Sequence, residues 1–362
     1  MPVTTDQIAR LRLIRSDNIG PVSYFHLLAR FGSAEAAIAA LPDLAARGGG
    51  RAPAVAESDR IEQELERVGR LGAQHLFHGD EAYPELLAAL EAPPPVLIVQ
   101  GDLTLFARPA VAMVGARNAS AAACRFARQL ARTLGAAGMA IVSGLARGID
   151  SAAHDGALET GTIAVIAGGI DIVYPPENES RQRAIAERGL LVAEQPPGLE
   201  PRARHFPYRN RIIAGLAAGT LVVEAAPRSG SLITARLAAD FGREVMAVPG
   251  SPVDPRAQGC NQLIRDGATL VQTAEDVLEA VQPMHVDAFR QSAPAPTPSA
   301  VPAEADDGTR QSVTRLLGAT PVPVDELIRQ AGCAPAEVQE VLLELELAGR
   351  LERHAGGKVS LT

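Results

Sequence analysis

The sequence predicts an α/β protein built on a Rossmann-like, doubly wound, mostly parallel sheet. An N-terminal helical domain and a C-terminal winged-helix domain are expected to flank it. Three observations carry this. Short continuous apolar runs recur between residues 109 and 282, the pattern of strands buried on both faces. Helical stretches such as 121–134 and 232–240 separate those runs, and such alternation specifies parallel strands joined by crossovers. No barrel-scale repeat is present, so the sheet is open and covered on both sides.

The elements follow in chain order. Residues 1–75 read as helical: Ile8, Leu11, Leu13 and Ile14 form one apolar face, and Tyr24, Leu27, Leu28 and Phe31 form a second after the Asp17–Pro21 turn. Helices joined by such a turn can offer backbone amides to DNA, as helix-hairpin-helix modules do. The turn has no basic residue, which favours a packing role. Residues 76–108 lead into the main domain, with a strand at 96–99 after a triple proline. The main domain, 76–282, contains strand candidates at 111–115, 139–144, 162–169, 190–195, 220–226, 244–250 and 268–271. Residues 283–309 are rich in Pro, Ala and acid, the composition of a flexible linker. Residues 310–362 read as three helices followed by a hairpin with a Gly-Gly turn, a winged-helix pattern. The third of these helices carries Glu337, Glu340, Glu344 and Glu346, which phosphate would repel, so a protein-interaction role is expected there.

Composition narrows the function classes. The 362 residues are 47% hydrophobic but only 3% aromatic, with no Trp, so the core is aliphatic. Net charge is −8, which argues against a nucleic-acid binder until its distribution is examined. Residues 103–149 contain no acid, yet carry Arg108, Arg117, Arg125, Arg128, Arg132 and Arg147. A second acid-free stretch, 201–223, carries Arg202, Arg204, His205, Arg209 and Arg211 with Phe206 and Tyr208 interleaved. Basic side chains with aromatics among them suit a surface that holds phosphate and stacks a base. Cys124, Cys260 and Cys333 are far apart and form no CxxC pair, so neither a zinc site nor a disulfide framework is expected. The first residues lack a signal-peptide run and no apolar segment approaches bilayer length. A soluble cytoplasmic protein without membrane contact is expected.

In an open parallel sheet, ligands bind beyond the carboxyl ends of the strands. Those ends read Gly115–Ser120, Ser143–Gly148, Gly168–Asp171, the arginine-rich stretch, expected as a loop, and Arg228–Ser231. Small residues, hydroxyls and arginines thus converge on one rim, where helix N-termini offer free N–H groups to an anion. Sharper chemistries fail. GxGxxG is absent after the first strand, and GxxxxGK[ST] is absent altogether. Asp150, Ser151 and His154 are sequential on one expected helix, whereas a catalytic triad draws on separate elements. Glu194 and Glu224 end strands and leave open a nucleotide-processing enzyme, such as a nucleoside monophosphate hydrolase, though orienting the rim arginines is the preferred role. No catalytic residue, metal or cofactor is expected.

Taken together, GARNAS at 115–120, SGLARGID at 143–150, AGGIDIVYPPEN at 167–178, HFPYRNRIIAGL at 205–216, RSGSLITA at 228–235 and GCNQLIRDGA at 259–268 resemble the bacterial DNA-processing protein A family, also called Smf. The resemblance implies an extended Rossmann-like core, in a non-enzymatic, dimeric protein that binds single-stranded DNA with little sequence preference. It implies loading of the RecA recombinase onto strands otherwise covered by single-strand-binding protein, and protection of DNA in natural transformation. Residue by residue it points to Arg117 as a phosphate contact, with Ala116 standing where serine is common. It points likewise to Phe206 as the aromatic on a base, followed by Arg209, Asn210 and Arg211, and to the turn Ser229, Gly230 and Ser231. Arg204 or Arg202 would fill the basic position before the aromatic. Gly115, Ser120, Ser143 and Gly144 complete the expected DNA-binding set.

Overall fold

A computed structural model describes residues 3–281, 305–354 and 356–362, so the expected linker lies outside them except for its last residues. The chain forms two compact units: one begins at Glu64, and the other joins the segment up to Gln63 with the C-terminal segment.

The unit beginning at Glu64 is organised by a nine-stranded sheet of order β1-β2-β6-β5-β4-β3-β7-β8-β9. Its strands are β1 (Gln74–Phe77), β2 (Val96–Gly101), β3 (Ala110–Val114), β4 (Ala140–Ser143), β5 (Thr162–Gly169), β6 (Leu190–Gln195), β7 (Gly219–Val222), β8 (Glu244–Ala247) and β9 (Thr269–Leu270). The run from β6 to β9 across the sheet is parallel, whereas β2 pairs antiparallel with both β6 and β1. The residues expected as a lead-in therefore supply the antiparallel edge. Because β1 starts at Gln74, the domain boundary expected after residue 75 falls inside a strand.

Alternation along β3 shows why the sheet is covered twice. Val111 and Met113 enter one core cluster, and Ala112 and Val114 enter the other. Helices α6 (Ala121–Ala136) and α7 (Ile149–Ala157) cover the first face through Leu130, Leu134 and Ile149. Helix α9 (His205–Gly215) covers the opposite face through Ile212 and Ile213. Chain order reverses at β3: β4, β5 and β6 lie to one side and β7, β8 and β9 to the other. That reversal leaves a crevice beyond the carboxyl ends of β3 and β7. The remaining helices here are α4 (Ser58–Arg70, which enters from the other unit), α5 (Glu85–Ala88), α8 (Glu179–Arg188), α10 (Ser231–Asp240), α11 (Gln258–Arg265) and α12 (Ala274–Val281).

The stretch expected as an arginine-rich loop is a helix, α9. Pro207 stands in its first turn, where its missing N–H has no intrahelical partner to lose. Arg209, Ile212 and Ile213 then repeat at helical spacing and are buried.

In the second unit, α1 (Thr5–Ile14), α2 (Pro21–Phe31) and α3 (Ala34–Arg47) pack with α13 (Asp307–Leu316), α14 (Val324–Ala331) and α15 (Pro335–Leu347). Asp307 to Thr309 belong to α13, not to the expected linker. The wing has three strands, not two: β10 (Val322–Pro323), β12 (Lys358–Leu361) and β11 (Leu351–His354), in that order. Sequence reading separates the flanking modules, but Leu343 and Leu347 of α15 lie in one core cluster with Leu13, Tyr24, Leu27 and Leu41. Gly48 and Gly50 permit the approach, since a Cβ at either would overlap the backbone of Glu344 or Ala348.

The glutamates of α15 are largely consumed by this packing. Glu340 pairs with Arg30. Glu344 accepts from Nε and Nη2 of Arg310 at 2.8 and 2.9 Å. Glu346 accepts from Ser23 Oγ at 2.6 Å and Arg353 Nε at 2.8 Å. Glu337 accepts the Ala334 N–H at 2.9 Å. Three of the glutamates expected to repel phosphate, Glu340, Glu344 and Glu346, are thus members of an internal seam of ion pairs.

Candidate functional site

The crevice at β3 and β7 opens into two adjoining cavities of about 330 and 700 Å³. Arg117, Asn118, Ala146, Phe206 and Arg209 line both and therefore form the partition between them. The smaller also takes Gly144, Ile172, Tyr174 and Pro175; the larger takes Gly115, Asn210 and Arg228 to Ser231.

Helix periodicity explains the partition. Phe206, Arg209 and Asn210 stand at i, i+3 and i+4 of α9 and share the face toward the cavities. Arg211 lies outside that spacing. It pairs with Glu194 of β6 and lines neither cavity. Arg204, just before α9, is exposed and lines neither cavity.

Arg209 is not a solvent-facing cation: it is 7% exposed and donates Nη1 to the Val165 carbonyl at 2.8 Å. Burial pushes its pKa down to about 10, with Asp150 opposing that shift. Asp150 is itself buried, and burial pushes its carboxyl pKa upward against the pull of Arg209 and of the Ala146 and Gly144 amides. Gly144 is required at this crossing, because a Cβ there would overlap the Arg209 guanidinium.

The Asp150–His154 run builds the loop after β4. Asp150 accepts the Ala146 N–H at 3.3 Å, and Ser151 Oγ donates to the Ala146 carbonyl at 2.7 Å. His154 Nε2 accepts the Leu145 N–H at 3.3 Å, and its Nδ1 lies 2.7 Å from Thr162 Oγ1. That assignment puts the ring proton on Nδ1. Asn178 Nδ2 donates to the Leu145 carbonyl at 2.7 Å. These bonds hold Leu145 at a φ of 53°, a left-handed conformation that a leucine adopts only when its surroundings impose it. Burial lowers His154 to about 3 and keeps it neutral.

Among the helices that begin at this rim, the N-termini of α6 and α7 are already filled from within. At α6, the Glu224 carboxylate accepts the Ser120 N–H at 2.9 Å and Ser120 Oγ at 2.7 Å. At α7, Asp150 stands in the first turn. The first turn of α10 has no acidic residue; Gly230 and Ser231 begin it, with Ser229 Oγ 2.7 Å from Ser231 Oγ. The larger cavity therefore ends on a positive helix terminus beside exposed Arg228.

Aromatic and cationic groups meet at the partition. The Arg117 guanidinium carbon lies 5.3 Å from the Phe206 ring centroid. The Tyr174 ring lies 5.5 Å from Phe206, centroid to centroid, tilted by 54°.

Of the expected set, Gly115, Arg117, Gly144, Phe206, Arg209, Asn210, Ser229, Gly230 and Ser231 line the cavities. Ser143 is fully buried and donates to the Met113 carbonyl at 2.7 Å, and Ser120 caps α6. Tyr174, Asn118 and Arg228 were not in that set. The signal for Tyr174 was its place beyond β5 in a chain with 4 tyrosines. Glu194 and Glu224 line neither cavity. Among the described residues no cluster suited to a metal ion occurs, and no helix is long and apolar enough to cross a membrane.

Comparison with known proteins agrees with this architecture. Residues 74–282 match the family described as DNA recombination-mediator protein A. Residues 4–66 match a DprA-like N-terminal HHH domain, and 294–357 match a DprA winged helix domain. The Escherichia coli protein Smf is 40% identical over 294 residues, covering 79% of this chain and 77% of its own. The DNA processing protein DprA of Streptococcus pneumoniae is 45% identical over 201 residues, covering 55% of this chain and 71% of its own. The solved S. pneumoniae structure superposes with a TM-score of 0.67 at 36% identity, over 78% of this chain and 99% of that one. A Helicobacter pylori DNA processing protein A, whose structure was reported for its single-stranded DNA binding mode, gives a TM-score of 0.53 at 29% identity, over 58% of this chain and 96% of that one. Family match, relatives and fold agree that this chain belongs to the DNA processing protein A family of recombination mediators, DprA or Smf.

Proposed function

We propose that this protein binds single-stranded DNA across the β3–β7 crevice and acts there as a recombination mediator. The carrying observation is the Arg117–Phe206 stack beside an α10 N-terminus whose first turn holds no acidic residue. A strand laid across it would meet phosphate donors from Arg117, Arg228 and the Ser229–Ser231 turn, and an aromatic wall for its bases. Phosphate contacts carry no base identity and every base has a π-face, so binding is insensitive to sequence. Family membership supports the further steps: a homodimer that delivers the strand to RecA in place of single-strand-binding protein, in the cytoplasm, as in natural transformation.

An anisotropy titration tests the reading. Single-stranded oligonucleotide should bind more tightly than duplex, with a log–log salt slope of about −0.7 per phosphate neutralised. Arg117→Ala should weaken binding across all sequences. Equal binding by that variant and the parent would falsify the assignment of the crevice. Strand exchange by RecA on strands precoated with single-strand-binding protein tests the mediator step, and light scattering tests the dimer.

The alternative, a nucleotide-processing enzyme using Glu194 or Glu224, is less well supported. One carboxylate is paired with Arg211 and the other with Ser120. Base release from nucleoside monophosphates by the purified protein would revive it.

A further inference from the structure

Phe206 is the aromatic that the sequence motif singles out, yet it is not the ring most open to a ligand. Arg117 lies over it and Tyr174 packs against it, leaving Phe206 partly buried. The two rings also leave no slot between them. A base sandwiched between parallel rings needs about 7 Å, twice a van der Waals contact, whereas these centroids are 5.5 Å apart and tilted by 54°.

Tyr174 has the opposite properties. It is 46% exposed and lines the smaller cavity. Tyr208 is comparably exposed at 50% but lines neither cavity, so exposure alone does not select a stacking residue. The backbone around Tyr174 is also held. Gln182 Nε2 donates to the Ile172 carbonyl at 3.1 Å, and Pro175 and Asn178 behind it are buried. The ring is therefore offered on a fixed segment with little ordering left to do on binding. Ile172 and Pro175 border it and Phe206 backs it, giving an apolar side to the smaller cavity; Arg117 lines both cavities and Arg147 the smaller, while Arg228 and the Ser229–Ser231 turn line the larger alone.

We propose that Tyr174 is the base-stacking residue of this site. Phe206, itself covered by Arg117, forms the backing of its ring, and the smaller cavity takes a nucleobase while the larger takes the sugar-phosphate chain. This assignment rests on the single-stranded DNA reading, and the test separates the two.

The parent protein, Tyr174→Ala, Tyr174→Phe and Tyr174→Trp would each be titrated with an oligothymidylate and with an abasic oligonucleotide of equal length. Tyr174→Ala should weaken oligothymidylate binding roughly 5- to 150-fold, the range for losing one base–aromatic stack. It should leave abasic binding unchanged, and Tyr174→Phe should bind as the parent does. The chain contains no tryptophan, so in Tyr174→Trp all indole emission reports this position, and oligothymidylate should quench it. Parent-like binding of oligothymidylate by Tyr174→Ala overturns the assignment. Equal losses on both oligonucleotides, or unchanged indole emission at saturation, also overturn it. Failure of the parent to bind either oligonucleotide removes the DNA reading and this assignment together.

Discussion

Helices α9 and α15 carry charge of opposite sign, and in both most of that charge faces inward. On α15 the glutamates read as a surface that repels phosphate, yet Glu340, Glu344 and Glu346 are paired inside their own unit. On α9 the arginines read as a surface that attracts phosphate, yet Arg209 is buried beside Asp150 and Arg211 is paired with Glu194. The attraction is left to Arg117 and Arg228, which lie on loops and remain exposed. The sign of charge on a helix therefore does not say what that helix binds. Whether each charge meets a partner inside the fold decides it.

The largest effect should come from breaking the α15 seam. Arg310→Ala would leave the Glu344 carboxylate, whose side chain is 1% exposed, buried without its bidentate partner. Removing one member of a buried pair costs about 3–5 kcal/mol. Urea melts should show the unit of α1–α3 and α13–α15 unfolding earlier, with oligonucleotide affinity retained by the other unit. An unshifted transition would mean the seam contributes little. The shared core also predicts that deleting residues 305–362 uncovers Leu27 and Leu41 and destabilises α1–α3. Such a truncation does not isolate the role of the winged helix.

The next effect concerns the Arg209 crossing. Gly144→Ala forces a Cβ against the guanidinium, and overpacking of this kind costs about 1–3 kcal/mol. Because Arg209 lies on the α9 face that carries Phe206, affinity for oligonucleotide should fall together with thermal stability. A loss in stability with affinity intact would separate the crossing from the site.

His154 supplies a pH dependence. Its folded pKa is about 3 against 6.5 for the free side chain, chiefly through burial. Below 6.5 the unfolded chain takes up a proton that the folded chain refuses. This contribution to stability is complete above 6.5 and is lost by about 1.4 kcal/mol per pH unit down to about 3. His154→Gln should flatten that slope in denaturation measured from pH 7 to 4; an identical slope in the variant would place the dependence elsewhere.

The smallest effect should be at the exposed arginines. Arg228→Ala should lower the magnitude of the salt slope by about 0.7 and leave stability unchanged. Arg211→Ala should do the reverse, because it removes the Arg211–Glu194 ion pair without removing a cavity-lining group.

Much of the fold was legible in the sequence because burial on both faces leaves continuous apolar runs, and β3 to β8 stand where those runs do. The α9 stretch reads as a loop in the sequence. Its dense arginines and Pro207 look like loop chemistry, and only packing against the sheet shows that Arg209, Ile212 and Ile213 share a buried face. The rim itself was legible because parallel strands must end on one edge. Which rim residue faces a ligand was not. Ser120, Ser143 and Arg211 have the right chemistry at the right strand ends but point at Glu224, the Met113 carbonyl and Glu194.

Local sequence alone determined the periodicities, the turns and the positions of the strand ends, because these depend on neighbours a few residues apart. Tertiary structure alone decided the antiparallel edge, the joining of the two flanking modules and the division of the arginines into buried and exposed. It also placed Tyr174 beside Phe206. Those outcomes depend on which groups from distant segments arrive within hydrogen-bonding or stacking distance, and on the penalty for leaving a buried charge without a partner.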